Sequence, residues 1–295
     1  MAEKIGRIPL GDRVRELDRM YGAVEKEITK ELLSTDVGNY QEVKAVKTQE
    51  KIDGLIKTLN REAIRWSKAA VPEAYEEGYD VSRTRLEILG ARRDEEFNDK
   101  THEQTVDFET DEMMDTLIKA NQSIRMNVGM YFYLVRQSAQ GLMQIQEFDF
   151  RDEEFIADLL DDAIRAGESR GYAKRLITDH IKSEVGEGKF IQIRGRNYKM
   201  SSYADLVAKT RLRHVQTEAV RKSCKEFDND LVEVSDHGTD CIICIPYEGN
   251  VYSLSGKDSV YPYLEAYTPF HCRCQHHIRP TSIVALEART GRSYA

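Results

Sequence analysis

No stretch of the sequence approaches the roughly 20 consecutive apolar residues that a bilayer span needs. The opening residues, MAEKIGRIPLGDR, lack the apolar centre of a secretory signal peptide. Membrane insertion and secretion are therefore not expected, and folding in a reducing cytosol is. Positive charge is also in deficit, with a formal net charge of -8. That balance excludes a protein that coats nucleic acid over its whole surface, because neutralising phosphates takes accumulated Lys and Arg. Internal repeats and low-complexity tracts are absent, which excludes solenoids and polar linkers. Cysteine is scarce at 5 residues, yet four of them stand in two short knots.

What is present is enough for a substantial core: 295 residues, 40% hydrophobic and 32% charged, sized for one large or two ordinary domains. The first knot is Asp240-Cys241-Ile242-Ile243-Cys244 and the second is His271-Cys272-Arg273-Cys274. A Cys pair at i, i+3 puts two thiolates on one tight turn. A second pair at i, i+2, returned by the chain, can close a four-sulfur cage around zinc. The turn at Gly249-Asn250 and the alternating run after it would bring the chain back, so the two knots are expected to touch. The expected ligands are Cys241, Cys244, Cys272 and Cys274, with His271 in reserve and His276 and His277 just beyond. A reduced cluster of buried thiols, or two disulfides, remains open from the spacing alone. A reducing compartment tilts the balance to metal.

The chain reads as α+β, with a mostly helical N-terminal half of long helices and a C-terminal α+β domain holding a small antiparallel sheet and the Cys-rich knot. Val14, Leu17, Tyr21, Val24, Ile28 and Leu32 recur at three and four, giving a helix over 12–33. A second helix runs from about Gln41 to the single tryptophan, Trp66, and Pro72 is expected to kink or restart it. The apolar signal fades over 90–107, read as a loop or solvated helix end. A long helix capped by Asp111 then carries Met114, Leu117, Ile124, Val128, Tyr131, Val135, Leu142 and Ile145. At about 35 residues it would be about 50 Å long. The acidic patch Glu147–Glu154 marks an expected boundary between a domain of residues 1–150 and one of 151–295. Helices over 153–167 and 171–185 follow. The period then changes to two around Gly195, which predicts a β-hairpin. Ser201 or Ser202 is expected to cap a helix from Tyr203 to Phe227, before a strand at Leu231–Val234.

The overall negative charge hides a basic island. Between Lys189 and Lys225 stand ten Lys or Arg against two acids, Asp205 and Glu218. Arg194, Arg196, Arg211 and Arg213 are its candidate contacts to DNA backbone, with Tyr198 and Tyr203 available for stacking. A charge-rich solvated face is the bland reading of the same residues. Enzyme readings find less. A thioredoxin-like use of Cys241 and Cys244 fails because Pro246 and Gly249 follow where a helix should open. A zinc deaminase needs a His-x-Glu and a Pro-Cys pair that the sequence does not offer. Cys224, His214 and Asp228 lie on one expected helix at mismatched angles, which leaves Cys224 as a core residue. Arg194 or Arg196 with Ser253 and Glu265 would be needed for ADP-ribosyltransferase-like chemistry, and they are scattered. No catalytic residue is expected.

One series of residues carries a likeness: Gly195-Arg196-Asn197-Tyr198, Tyr203, Lys209-Thr210-Arg211, Gln216-Thr217-Glu218, the two knots, and Gly249-x-Val251-Tyr252 between them. Over about 155–280 this order resembles bacteriophage minor capsid proteins, the Mu F-like head morphogenesis proteins and the related phage minor capsid protein 2 family. The family's last motif usually reads His-Pro-Asn-Cys-Arg-Cys, whereas this chain has Pro269-Phe270-His271-Cys272-Arg273-Cys274. The resemblance implies a structural, non-enzymatic virion protein inside the head near the portal, made in the host cytoplasm and acting in head assembly, genome packaging or ejection. Its implied partners are the portal protein, a major capsid or scaffold protein, and packaged DNA. The alternatives are a zinc-stabilised, non-specific nucleic-acid-binding module and, behind it, an ADP-ribosyltransferase-like or thiol enzyme.

Overall fold

A computed structural model describes residues 12–34, 42–140, 179, 183, 185–266, 268–272 and 274–290. Three long helices come first: α1 (Arg13–Leu33), α2 (Glu42–Ile88) and α3 (Lys100–Gln140). The hairpin β1 (Ile191–Ile193) and β2 (Arg196–Tyr198) leads into α4 (Met200–Glu226). Strands β3 (Leu231–Val234), β4 (Val251–Ser253) and β5 (Ile278–Pro280) precede a short α5 (Ile283–Thr290). This is the expected α+β class. The helices expected over 153–167 and most of 171–185, and the boundary near 150, lie outside the described residues.

Two compact units organise these elements. The first comprises Met1–Leu17, Ala63–Thr116 and Asp205–Ala295, and the second Asp18–Glu62 and Leu117–Ala204.

In the second unit, Tyr21, Ile28 and Leu32 of α1 are buried, as are Ile52, Ile56 and Leu59 of α2 and Leu117, Ala120, Ile124 and Val128 of α3. Each set repeats at helical spacing, so each helix turns one stripe inward. Asn121 donates to Asn60 at 2.7 Å and Tyr131 donates to the Leu32 carbonyl at 2.8 Å, which gives the Asn121 amide N–H and the Tyr131 hydroxyl partners inside that apolar layer. The hairpin forms as expected, with Ile193 paired to Arg196 and a two-residue turn, Arg194-Gly195. Both turn residues have positive φ, 50° and 72°, as a type I′ turn requires. Ser123 fixes the hairpin from α3, its hydroxyl accepting the Gln192 N–H at 2.9 Å and contacting the Gln192 carbonyl at 3.2 Å. The N-terminus of α4 is capped differently from the expectation. The helix begins at Met200, and the Glu25 carboxylate accepts the Ser201 N–H at 3.0 Å, bringing negative charge to the positive end of the helix dipole.

In the first unit, two helices depart from the expectation, each for its own reason. α2 runs through Pro72 without restarting. Proline removes one hydrogen bond, while the neighbours Val71, Ala74 and Tyr75 are buried and hold the helix in register. α3 starts at Lys100, about a dozen residues before the expected cap. Asn98 begins it, its side-chain oxygen accepting the Lys100 N–H at 3.1 Å. The apolar signal is weak there because polar groups make the contacts. Glu226 of α4 accepts from Arg93 at 2.6 Å and meets His102 Nε2 at 3.1 Å. Glu109 of α3 is 3.2 Å from Arg211 and 3.4 Å from His214. Both carboxylates are almost wholly buried, so each requires these partners.

β3 is the middle of the three-stranded antiparallel sheet, ordered β4-β3-β5, and all four of its residues are buried. Val220, Cys224, Val232, Val234, Tyr252, Leu264 and Ile278 form the core between α4 and the sheet. Glu233 is buried too and pairs across the sheet with Arg279 at 2.8 Å. This sheet carries the two Cys knots at its ends.

Candidate metal centre

The first knot hangs from β3 and β4. Val234 N–H donates to the Asn250 carbonyl and Gly249 N–H to the Val234 carbonyl, closing residues 235–248 into a loop. Inside it, the Cys244 and Ile245 N–H groups both donate to the Cys241 carbonyl at 2.9 Å, forming a tight knuckle, and Thr239 Oγ1 accepts the Cys241 N–H at 3.1 Å. The second knot leads into β5, with Cys274 N–H bonded to the His271 carbonyl at 3.0 Å. Ser235 joins the two arms, donating its N–H to the His277 carbonyl and accepting the His277 N–H on its hydroxyl. Tyr247 and Phe270 stack at 4.3 Å between ring centroids, one from each arm.

The knots therefore touch. The Cys244 and Cys274 sulfurs are 3.9 Å apart, and His271 Nε2 lies 3.3 Å from Cys241 Sγ and 3.1 Å from Cys244 Sγ. His276 Nδ1 lies 3.5 Å from Cys274 Sγ. Two groups of three donors result, Cys241, Cys244 and His271 in one and Cys244, Cys274 and His276 in the other, each with its donor atoms within 4.8 Å of one another. Tetrahedral zinc with Zn–S of about 2.3 Å and Zn–N of about 2.0–2.1 Å has donor-to-donor edges of about 3.5–3.8 Å. The measured separations bracket those edges, and the donor set of thiolates and imidazoles is the one zinc favours. These Cys and His groups can hold a metal ion. All five cysteines are free thiols. Cys272 is exposed and belongs to neither group.

Electrostatics prepare the site unevenly. The N–H groups of Cys244 and Ile243 lower the Cys241 thiol toward its anion. Burial, then the neighbouring sulfurs of Cys241 and Cys274, push Cys244 up to about 12, because crowded thiolates without a cation repel. Glu248 is raised by burial, but the N–H groups of Thr239 and His237 and then the His276 ring outweigh that and leave it below the usual carboxylate range. His277, behind the knot, is driven down to about 3 by burial and then by Arg213, His237 and Arg279.

The segment around this geometry is similar to one protein family. Residues 177–283 match the family model of phage minor capsid protein 2. Over that stretch, about a third of the chain, the sequence is similar to that family. The match takes in the hairpin, α4, the three-stranded sheet and both Cys knots, and it begins after the three long helices. The matched family is described as a phage minor capsid protein. No curated protein and no solved structure gave a significant match.

Within this matched segment the basic residues part company. Arg194 and Arg196 are exposed on the hairpin. Arg211 is committed to Glu109, and Arg213 is 1% exposed with its guanidinium donating to Gln216 at 2.9 Å. The latter two hold the interior of the first unit, and a buried arginine offers no phosphate contact. Tyr203 is buried and packs on Tyr198 at 5.6 Å between centroids. Cys224 is a core thiol as expected, pushed up to about 12 by burial, while His214 faces Glu109 and Ser253 donates to Asp230 at 2.5 Å. Sequence reasoning left out the pairing of His276 with Glu248, at 3.1 Å across 28 positions. Only a fold that returns β5 beside β3 makes that pair.

Proposed function

We propose that this chain is a minor structural protein inside the phage head, close to the portal, acting in head assembly or in genome packaging and ejection. The observation that carries the reading is the family match over 177–283, on the same segment that holds the two knots. The metal assigned to the knot is zinc, and its part is structural. A three-stranded sheet of three- and four-residue strands is a thin core, and ion binding supplies folding free energy directly. The long helices outside the matched segment are assigned to contacts with portal, coat or scaffold protein. No turnover is assigned, since the thiols converge on imidazoles in a closed cluster and not on a cleft.

A second reading, a salt-sensitive contact with packaged DNA, draws on the exposed Arg194 and Arg196 alone. The test of placement is protease treatment of purified particles. Interior placement predicts that the chain is protected in intact heads and cut once the heads are opened. Cutting in intact heads would refute it.

A further inference from the structure

Both imidazoles are anchored on oxygen through the nitrogen away from the sulfurs, and the number of sulfurs each faces at short range distinguishes them. We propose that the knot binds one tetrahedral d10 ion, zinc in the cell, through the sulfurs of Cys241, Cys244 and Cys274 and Nε2 of His271. Cys272 stays outside, and the His276–Glu248 pair supports Cys274 from behind. This inference rests on the metal reading above and goes beyond it by fixing the ligands.

His271 Nδ1 lies 2.7 Å from the Cys272 carbonyl oxygen. A carbonyl only accepts, so Nδ1 carries the proton and Nε2 presents its lone pair. That lone pair faces two sulfurs at once, at 3.3 and 3.1 Å. One thiol proton could bridge the nitrogen to one sulfur. A cation in the middle serves all three atoms. Anchoring the far ring nitrogen on an oxygen is also how metal-bound histidines are held in orientation. Cys274 joins through Cys244, the two sulfurs 3.9 Å apart, close to a tetrahedral edge; it stands outside the close group of Cys241, Cys244 and His271, so the ion must draw it in. Cys244 and Cys274 are buried, whereas Cys272 is exposed and contributes its carbonyl to His271.

His276 repeats the arrangement one layer out. Its Nε2 is 3.1 Å from Glu248 Oε1, and its Nδ1 is 3.5 Å from the Cys274 sulfur, with the Cys244 sulfur farther off but within 4.8 Å. Glu248 is itself fixed, its second oxygen accepting the Thr239 N–H at 3.0 Å and its first accepting the His237 N–H. The resulting line of carboxylate, imidazole and sulfur orients a ligand of the ion from the loop that carries the first knot, so His276 and Glu248 are positioning residues. Both are buried side chains, and neither is explained by packing of the sheet alone.

The test uses the full chain, reduced and stripped of metal, titrated with Co2+ as a spectroscopic stand-in for zinc. Expected are one cobalt per chain, the intense visible bands of a tetrahedral ion, and sulfur-to-cobalt charge transfer. Cys272→Ser should leave all three unchanged. Cys274→Ser should lose about a third of the charge-transfer intensity. His271→Ala should keep that intensity and shift the visible bands. Glu248→Gln should weaken binding about 10–100-fold with unchanged bands, as loss of an outer-shell partner does. X-ray absorption of the zinc-loaded wild type, which no folding defect can confound, should show three sulfurs at about 2.3 Å and one nitrogen at about 2.0–2.1 Å. No cobalt binding by the wild type would overturn the metal reading itself. A four-sulfur shell, or binding abolished by Cys272→Ser, would overturn the ligand assignment and leave the metal reading standing.

Discussion

Replacing Gly78 by Ala tests how closely α2 and α4 approach in the first unit. In a helix interior Ala is favoured over Gly by about 1 kcal/mol, so propensity alone predicts stabilisation. The structure predicts the reverse. A Cβ at position 78 would stand 2.8 Å from the Gln216 carbonyl oxygen, 2.9 Å from the Gln216 Cα and 3.1 Å from the Ala219 Cβ. Comfortable carbon contacts begin at about 3.5 Å. Two of the three atoms belong to backbone, which cannot rotate away, so the helices must separate by about half an ångström. That movement strains the Gln216–Glu77 hydrogen bond, 3.0 Å in length, and the hydroxyl contact between Ser223 and Ser82. Overpacking of this kind costs about 1–3 kcal/mol, and after the propensity gain a net loss of about 0–2 kcal/mol is expected. Gly54, on the same helix, has nothing within 4 Å of its Cβ position, so Gly54→Ala should gain up to about 1 kcal/mol. Chemical denaturation of both variants beside the wild type measures the difference. Stabilisation by Gly78→Ala equal to that of Gly54→Ala would refute the close approach.

Acid should destabilise the chain partly through His277. Its folded pKa of about 3 lies below the ordinary 6.5, so the unfolded chain binds the extra proton. The neutral ring therefore contributes no penalty above pH 6.5, and stability falls as pH drops from there toward 3. The loss from this group is about 2 kcal/mol at pH 5. His277→Phe should flatten that part of the profile, and a ring titrating near 6.5 by NMR would contradict the assignment. Chelation of zinc should raise hydrogen exchange across residues 236–280 before the long helices respond; uniform exchange along the chain would count against a local staple. If the hairpin touches DNA, Arg194→Ala with Arg196→Ala should flatten the salt dependence of affinity by about two units of slope, while the internal Arg211 and Arg213 act through stability. An unchanged slope would remove the hairpin from the contact.

The regular parts of this fold were legible because periodicity reports burial. The stripe Leu17, Tyr21, Ile28, Leu32 is buried as spaced, and the switch to period two at Ile191 and Ile193 is the hairpin. The start of α3 was not legible. Its first turns bury Glu109 and contact Glu226 through His102, so the signal there lies in partners on α4, more than a hundred positions away. The same holds at the Cys-His knot. Cysteine spacing marks the place and the meeting of the two arms, but CxC spacing cannot say which sulfur turns inward. Cys274 is buried and Cys272 is exposed, and His271 takes the position facing the first pair. The basic island misled in the opposite way, because charge in sequence does not distinguish a solvated Arg194 from Arg213, which is enclosed.

The proposed function requires the chain to be a built-in part of the phage particle. Quantitative mass spectrometry of purified, DNA-filled virions from cells carrying this gene measures that directly. The account predicts that the chain co-purifies with the heads at a low, fixed ratio to the major coat protein. Accumulation in the lysate with none in the particles would contradict it.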